Sequence, residues 1–191
     1  MKTGLFFGSF NPIHIGHLAL ANYFTAYTDL QQVWFVVTPH NPLKPKTSLL
    51  NDYKRLELVQ LAVEDFPAFK ASKIEFELPQ PNYTVHTLAH LKEKYPAHHF
   101  VLIMGEDNLD GFEKWKNYEV ILEQYEIYVY PRPGISTNKF KDHPHVKMVD
   151  APMIEISSTF IRDSIRNKKD IRFFLPEKVW KYMDDYHLYK K

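Results

Sequence analysis

An α/β fold with a mainly parallel, doubly wound sheet and helices on both faces, Rossmann-like in type, is predicted by three features of the chain. Short continuous apolar runs recur along it, as Leu5-Phe-Phe7, Val33-Trp-Phe-Val-Val37, Phe100-Val-Leu-Ile-Met104 and Ile127-Tyr-Val-Tyr130, and such runs suit strands covered on both faces. Segments of helical spacing alternate with them, which is the pattern of βαβ units. Loops carrying His, Lys, Asp and Arg follow the strands, where ligands bind in open α/β sheets. At 191 residues, a single domain over 1–191 suffices.

The first run ends at Gly8-Ser-Phe-Asn-Pro12, where Gly, Asn and Pro impose a turn. From Ile15 the spacing becomes helical, with Leu18, Ala19, Ala21 and Phe24 leading to Tyr27. Strand, tight loop and helix in that order aim a helix N-terminus at whatever lies beyond the strand, a ready site for phosphate. Neither a Gly-Lys-Ser/Thr ending nor G-x-G-x-x-G is present. Instead His14 and His17 share a face at the helix start, placed to donate to phosphate oxygens. Their rival reading as a metal pair lacks a Cys anywhere and a third ligand at metal spacing nearby.

The second run leads into a proline-rich loop over 38–46, in which His40, Lys44 and Lys46 can meet phosphate. Asn51 caps the next helix, striped by Leu56, Val59 and Val63, and Arg55 in its first turn can reach back to the loop. A strand is predicted over 73–78, with Ile74, Phe76 and Leu78 inward, followed by a turn into a helix through Val85, Leu88 and Leu91 that stops before Pro96. His86 and His90 read as an exposed face of that helix, since no H-E-x-x-H context surrounds them.

The run at 100–104 is the most apolar and reads as a central strand, ending in a loop at Gly105-Glu-Asp107 whose Asp can accept ribose hydroxyls or help hold a cation. A helix through Val120, Ile121 and Leu122 precedes the strand at 127–130, which opens into Arg132-Pro-Gly134. Segments 146–149 and 154–156 form a last extended stretch interrupted by Pro152. Ser157 or Ser158 then caps a helix beginning at Thr159, and Arg162 lies one turn past Ser158 on the same face. Hydroxyl, guanidinium and free N–H groups converge there. A helix from about 177 to 186 closes the chain.

The charge balance of 24 basic and 23 acidic residues, net +1, argues against a nucleic-acid partner, whose binders carry a basic excess. Phosphate chemistry must rest on a few placed cations. Zero Cys excludes disulfides and thiol catalysis and suits a cytoplasmic protein. No apolar run reaches membrane length and no leader pattern is evident, so no membrane association is expected.

The segment Gly8-Ser-Phe-Asn-Pro-Ile-His-Ile-Gly-His17 resembles the H-x-G-H signature of the nucleotidylyltransferase superfamily, and Ile156-Ser-Ser-Thr-Phe-Ile-Arg162 resembles its I-S-S-T-x-I-R signature. Landmarks over essentially the whole chain are similar to the bacterial nicotinate mononucleotide adenylyltransferase family. Tyr83-Thr84 with Thr87-Leu88 resembles S-Y-T-x-x-T-L, and Asp107, Trp115 and Arg132-Pro-Gly134 stand at matching places. Two departures are local: His-Asn-Pro-Leu-Lys44 replaces a Pro-Pro-His-Lys type segment, leaving open whether His40 or Lys44 acts, and Phe112-Glu113 replaces Leu-Pro.

The resemblance implies adenylyl transfer from ATP to nicotinate mononucleotide, with Mg²⁺ accompanying ATP and a homo-oligomer as one possible assembly. It implies His17, His14 and Lys44 in catalysis. ATP would fall to Gly8, Ser9, Phe10, His14, His17, Gly105, Asp107, Ser157, Ser158, Thr159 and Arg162, and the acceptor to His40, Lys44, Thr84, Trp115 and Arg132. Phosphopantetheine adenylyl transfer is the nearest alternative, though that family typically has Thr at the His14 position and lacks the Trp115 element. A nucleotide sensor without turnover is the non-enzyme alternative.

Overall fold

A computed structural model describes residues 1–39, 49–135 and 139–190. Among them, strands β1 (Lys2–Gly8), β2 (Gln32–Val37), β3 (Phe69–Ser72), β4 (His99–Gly105), β5 (Glu126–Tyr130) and β6 (Val146–Met148) form a parallel sheet in the order β3-β2-β1-β4-β5-β6. The helices are α1 (Ile15–Tyr27), α2 (Asp52–Val63), α3 (Thr84–Lys94), α4 (Glu106–Asp110), α5 (Tyr118–Gln124), α6 (Ser158–Arg166) and α7 (Glu177–Asp185).

Alternate residues of each central strand serve opposite faces, and this period of two builds two cores. Phe6, Val33, Phe35, Val37, Val101, Ile103, Tyr128 and Tyr130 pack on one face with α1, α2, α6 and α7, through residues such as Phe24, Leu58, Ile161 and Val179. Leu5, Trp34, Val36, Leu102, Met104, Ile127 and Val129 pack on the other with α3, α4 and α5, through Leu88, Leu91, Leu109 and Ile121. Each fully buried Leu, Val or Phe contributes about 1.5–3 kcal/mol of transfer free energy, so these strands hold helices to both faces.

The strand predicted over 73–78 is not formed. The edge strand lies earlier, at Phe69–Ser72, and Ile74–Glu77 is a 3-10 turn. Its bonds run from Phe76 N–H to Lys73 O and from Leu78 N–H to Glu75 O. Pairing with β2 ends at Val36↔Ser72, and β2 itself stops at Val37, so a strand farther along would have no ladder partner. The local alternation of Ile74, Phe76 and Leu78 was therefore overridden by where the neighbouring strand ends.

Two other expectations are adjusted. The loop expected at Gly105-Glu-Asp107 is instead the start of the short helix α4, Glu106–Asp110, and the stretch at 154–156 is not a strand. Strand order reverses between the adjacent strands β1 and β4, whose C-terminal ends at Gly8 and Gly105 therefore frame the crevice of a doubly wound sheet. No described helix is long and apolar enough to cross a membrane.

Candidate active site

The loop after β1 is held from beneath. Phe10 adopts a left-handed φ of 44° and is 2% exposed, its ring packed edge-on against Phe6, Phe35 and His17. A Cβ on Gly8 would sit 2.8 Å from that ring, so only glycine lets the loop fold over it. The ring of Phe10 is thus a core anchor, leaving its backbone to face a ligand.

Three loop carbonyls are taken by side chains from distant elements. Arg55, fully buried in α2, donates to Ser9 O and Thr38 O, and also to Leu50 O and the Asp52 carboxylate. Arg162 Nη1 donates to Asn11 O at 2.8 Å, and Ser158 Oγ donates to Pro12 O at 2.8 Å. With its carbonyls drawn into the protein, the loop is biased to present amide N–H groups to the crevice. Ser157, not Ser158, is the cap of α6, its Oγ accepting from Phe160 N–H. Ser158 and Arg162 do converge, as the spacing predicts, but here both brace the first loop; the Arg162 Nε–H is buried without a partner.

His14 caps α1 with extended backbone, and its N–H donates to His17 Nδ1 at 3.3 Å. The two imidazoles stack with centroids 3.7 Å apart. Burial, with the Arg132 cation adding to it, pushes His14 down to about 4. Burial, then His14, then Arg132 hold His17 well below the usual histidine range. Both rings are therefore neutral at pH 7, and because Nδ1 of His17 accepts, its proton resides on Nε2. That makes His17 a neutral donor.

Across the crevice, Gly105 ends β4 where an added Cβ would collide with Asp107 Oδ1 and meet Arg132 Nε at 3.0 Å. Arg132 lies 3.4 Å from Asp107 and donates to Tyr130 Oη at 3.3 Å, its guanidinium over the Tyr130 ring.

Beyond them, Thr84 opens α3 and Trp115 packs its indole against Phe112 at 5.4 Å while remaining half-exposed. Lys116 lies over the Tyr83 ring. Beneath α3, buried Glu75 accepts from Thr87 Oγ1 at 2.8 Å, and Asn82 Nδ2 donates to Glu75 O at 2.9 Å. Burial raises Glu75 above the usual carboxylate range, opposed by the Thr87 and Thr38 hydroxyls.

The residues that the resemblance assigns to ATP or the acceptor and that fall among the described ones line a continuous cleft of ≈ 790 Å³: Gly8, Ser9, Phe10, His14, His17, Thr84, Gly105, Asp107, Trp115, Arg132, Ser157, Ser158, Thr159 and Arg162. His40, Lys44 and Lys46 lie outside the described residues. Sequence reasoning missed Asn11, Glu75, Asn82, Lys114 and Lys116 as lining groups. The two lysines flank Trp115 and were legible by that position; Glu75 and Asn82 carried no local signal. Among the described residues no three His, Cys, Asp or Glu side chains gather as a metal site; His86 is exposed as predicted, whereas His90 is half-buried with its Nε2 out of solvent, because α3 turns that side toward the protein.

Comparison with known proteins matches residues 5–164 to a family model described as Cytidylyltransferase-like. Two relatives, both named "Probable nicotinate-nucleotide adenylyltransferase", come from Flavobacterium psychrophilum, at 61% identity, and Flavobacterium johnsoniae, at 58%, each aligned over 100% of both chains. Among solved structures, a Plasmodium falciparum nicotinic acid mononucleotide adenylyltransferase complexed with NaAD superposes with a TM-score of 0.80 at 18% identity, covering 98% of this chain and 97% of its own. A structure described as a putative nicotinate-nucleotide adenylyltransferase from Vibrio parahaemolyticus gives 0.74 at 22% identity, covering 100% and 96%. At those identities the superpositions speak for the fold.

Proposed function

Because the chain belongs to the cytidylyltransferase-like family, with full-length relatives at 58–61% identity named as nicotinate-nucleotide adenylyltransferases, we propose that it transfers the adenylyl group of ATP to nicotinate mononucleotide. The products are deamido-NAD and pyrophosphate. The observation that carries this reading is the single cleft joining His17 and the braced loop at the end of β1 to the half-exposed Trp115 and Thr84. One end suits a triphosphate and the other a flat ring.

The acceptor's 5′-phosphate is already anionic at neutral pH, so no protein nucleophile or strong base is required. Its oxygen bonds to the α-phosphorus of ATP while the bond from that phosphorus to the pyrophosphate oxygen breaks. Catalysis is then positioning and charge stabilisation. The Nε2–H of His17 donates to an α-phosphate oxygen as charge builds, with His14 fixing its orientation from behind through its N–H. The loop amides near Ser9 and Phe10, with the N-terminus of α6 at Ser158 and Thr159, receive the remaining phosphates. Arg162 holds the loop through Asn11 O and lines the cleft where the leaving group departs. Asp107 and Gly105 are assigned to the nucleotide sugar, Thr84, Trp115 and Arg132 to the acceptor, and one of His40 and Lys44 to its phosphate.

Mg²⁺ fits this arrangement as a companion of the triphosphate. Among the described residues no three-carboxylate or histidine cluster gathers, so such an ion would be held largely by phosphate oxygens and water, with the Asp107 carboxylate in the cleft to assist, and it would supply charge neutralisation on the departing pyrophosphate.

The test is pyrophosphate release with ATP, Mg²⁺ and, in turn, nicotinate mononucleotide, its amide and phosphopantetheine. Turnover with the first above the other two is expected. A preference for phosphopantetheine, or no turnover with any of them, would overturn the reading.

A further inference from the structure

We propose that Tyr189 is a positioning residue for adenylyl transfer, acting through Asn11 on the loop that receives the triphosphate; this rests on the function proposed above. Tyr189 Oη donates to Asn11 Oδ1 at 2.7 Å across a sequence separation of 178 residues. The same Oδ1 accepts the Leu50 N–H at 3.1 Å, and the Asn11 carbonyl accepts Arg162 Nη1. Asn11, 2% exposed, thus joins three parts of the chain: the segment entering α2, helix α6, and the C-terminal segment.

The backbone is bent at some cost to make this contact. After α7 the chain turns back through His187 and Tyr189, both non-glycine residues with left-handed φ, 50° and 60°. Left-handed backbone is disfavoured for residues with a Cβ and persists where surrounding contacts hold it. Here Leu188 and Tyr189 pack on the core face that carries α1 and α7, and the Leu188 N–H donates to Met183 O at 2.9 Å. Packing alone would be served by phenylalanine. The hydroxyl is what the turn delivers to the loop.

The phenol is also held in its donating form. Burial raises Tyr189 far above the usual tyrosine range, against the opposing pull of Arg162 and Arg55. It remains protonated across neutral pH, so Asn11 Oδ1 has a constant donor. Asn11 lies between Phe10 and the cis bond to Pro12, and it lines the cleft one residue from a backbone carbonyl that Ser158 holds. Rotation of its side chain would release that stretch of loop.

The test is Tyr189→Phe, which keeps ring and backbone and removes one oxygen. One buried neutral hydrogen bond corresponds to roughly a fivefold change, so the Kd of a non-hydrolysable ATP analogue and the KM for ATP should rise roughly fivefold, with the acceptor KM unchanged. Leu188→Ala, in the same turn without touching Asn11, should lower Tm and leave the ratio of the two KM values alone. In a cycle with Asn11→Ala, the effect of Tyr189→Phe on ATP should vanish. Unaltered analogue affinity in Tyr189→Phe, or additive effects in the cycle, would overturn the proposal. Because analogue binding needs no acceptor, weakened binding would sustain it even if nicotinate mononucleotide proved not to be the acceptor; a wild-type protein that binds no analogue would remove both.

Discussion

The His14 backbone N–H donates to His17 Nδ1 at 3.3 Å, with the two rings stacked at 3.7 Å. The sequence motif specifies two histidines at one helix start; this bond specifies which nitrogen of the second carries the proton. A neutral imidazole bonded in this way has only Nε2–H to offer.

Nitrogen-detected NMR of the free protein at pH 7 should accordingly find His17 as the Nε2–H tautomer. His17→Ala should lower kcat by roughly 10²-fold or more with little change in ATP KM, as for a donor that acts mainly in the transition state. A doubly protonated ring at pH 7, or an unchanged kcat, would contradict the role.

His14 makes stability depend on pH in a definite direction. Its ionisation lies at about 4 in the fold against 6.5 as a free side chain, so the unfolded chain binds the proton more readily. The contribution is fully present above about pH 6.5 and is lost as pH falls toward 4, on the order of 3 kcal/mol over that window. Urea midpoints should fall between pH 6.5 and 4 in the wild type and fall less steeply in His14→Gln, where only His17 of the pair still resists protonation. Equal slopes would show that His14 is not the titrating group.

Arg55 should matter for stability as much as for activity. Its removal leaves Ser9 O, Thr38 O and Leu50 O short of a donor and strands Asp52. Arg55→Met should cost about 3 kcal/mol or more in chemical denaturation. Arg55→Lys should recover only part of that, because an ammonium cannot reproduce the planar fork. A wild-type denaturation midpoint in Arg55→Met would remove this account.

At the other end of the cleft, Trp115 and Thr84 should separate affinity from choice. A pyridinium ring on the indole face gains on the order of 1 kcal/mol whether it bears an acid or an amide. Trp115→Ala should therefore weaken both acceptors together. Discrimination needs donors at the carboxylate, so Thr84→Val should narrow the gap in kcat/KM between nicotinate and nicotinamide mononucleotides. Equal wild-type efficiency with both, or an unaltered acceptor KM in Trp115→Ala, would misplace the ring pocket.

Much of this architecture is written locally. The apolar run before Gly8, the turn residues to Pro12 and the helical spacing from Ile15 each act over a few residues, and α1 spans the predicted Ile15–Tyr27. The β-branched run of β2 and the Asn51 cap of α2, which accepts from Tyr53 N–H, are equally local and were equally legible. So too were the residues brought into the cleft, because they sit at strand ends and helix starts, and a parallel sheet gathers those on one edge.

What the tertiary structure alone decided lies where partners are far apart in sequence. The extent of β3 was set by where β2 stops, not by the alternation of Ile74, Phe76 and Leu78. The choice of Ser157 over Ser158 as cap freed Ser158 to hold Pro12 O, a bond spanning 146 residues. The reach of Arg55 and the pairing of Arg162 with Ser158 are legible from spacing, whereas Tyr189 looks in sequence like an ordinary tail residue; only the packing of α2, α6 and the C-terminal turn beneath one loop makes all three its braces. Periodicity reports which way a side chain faces its own element, whereas a buried donor is matched to its acceptor by the close packing of the whole fold.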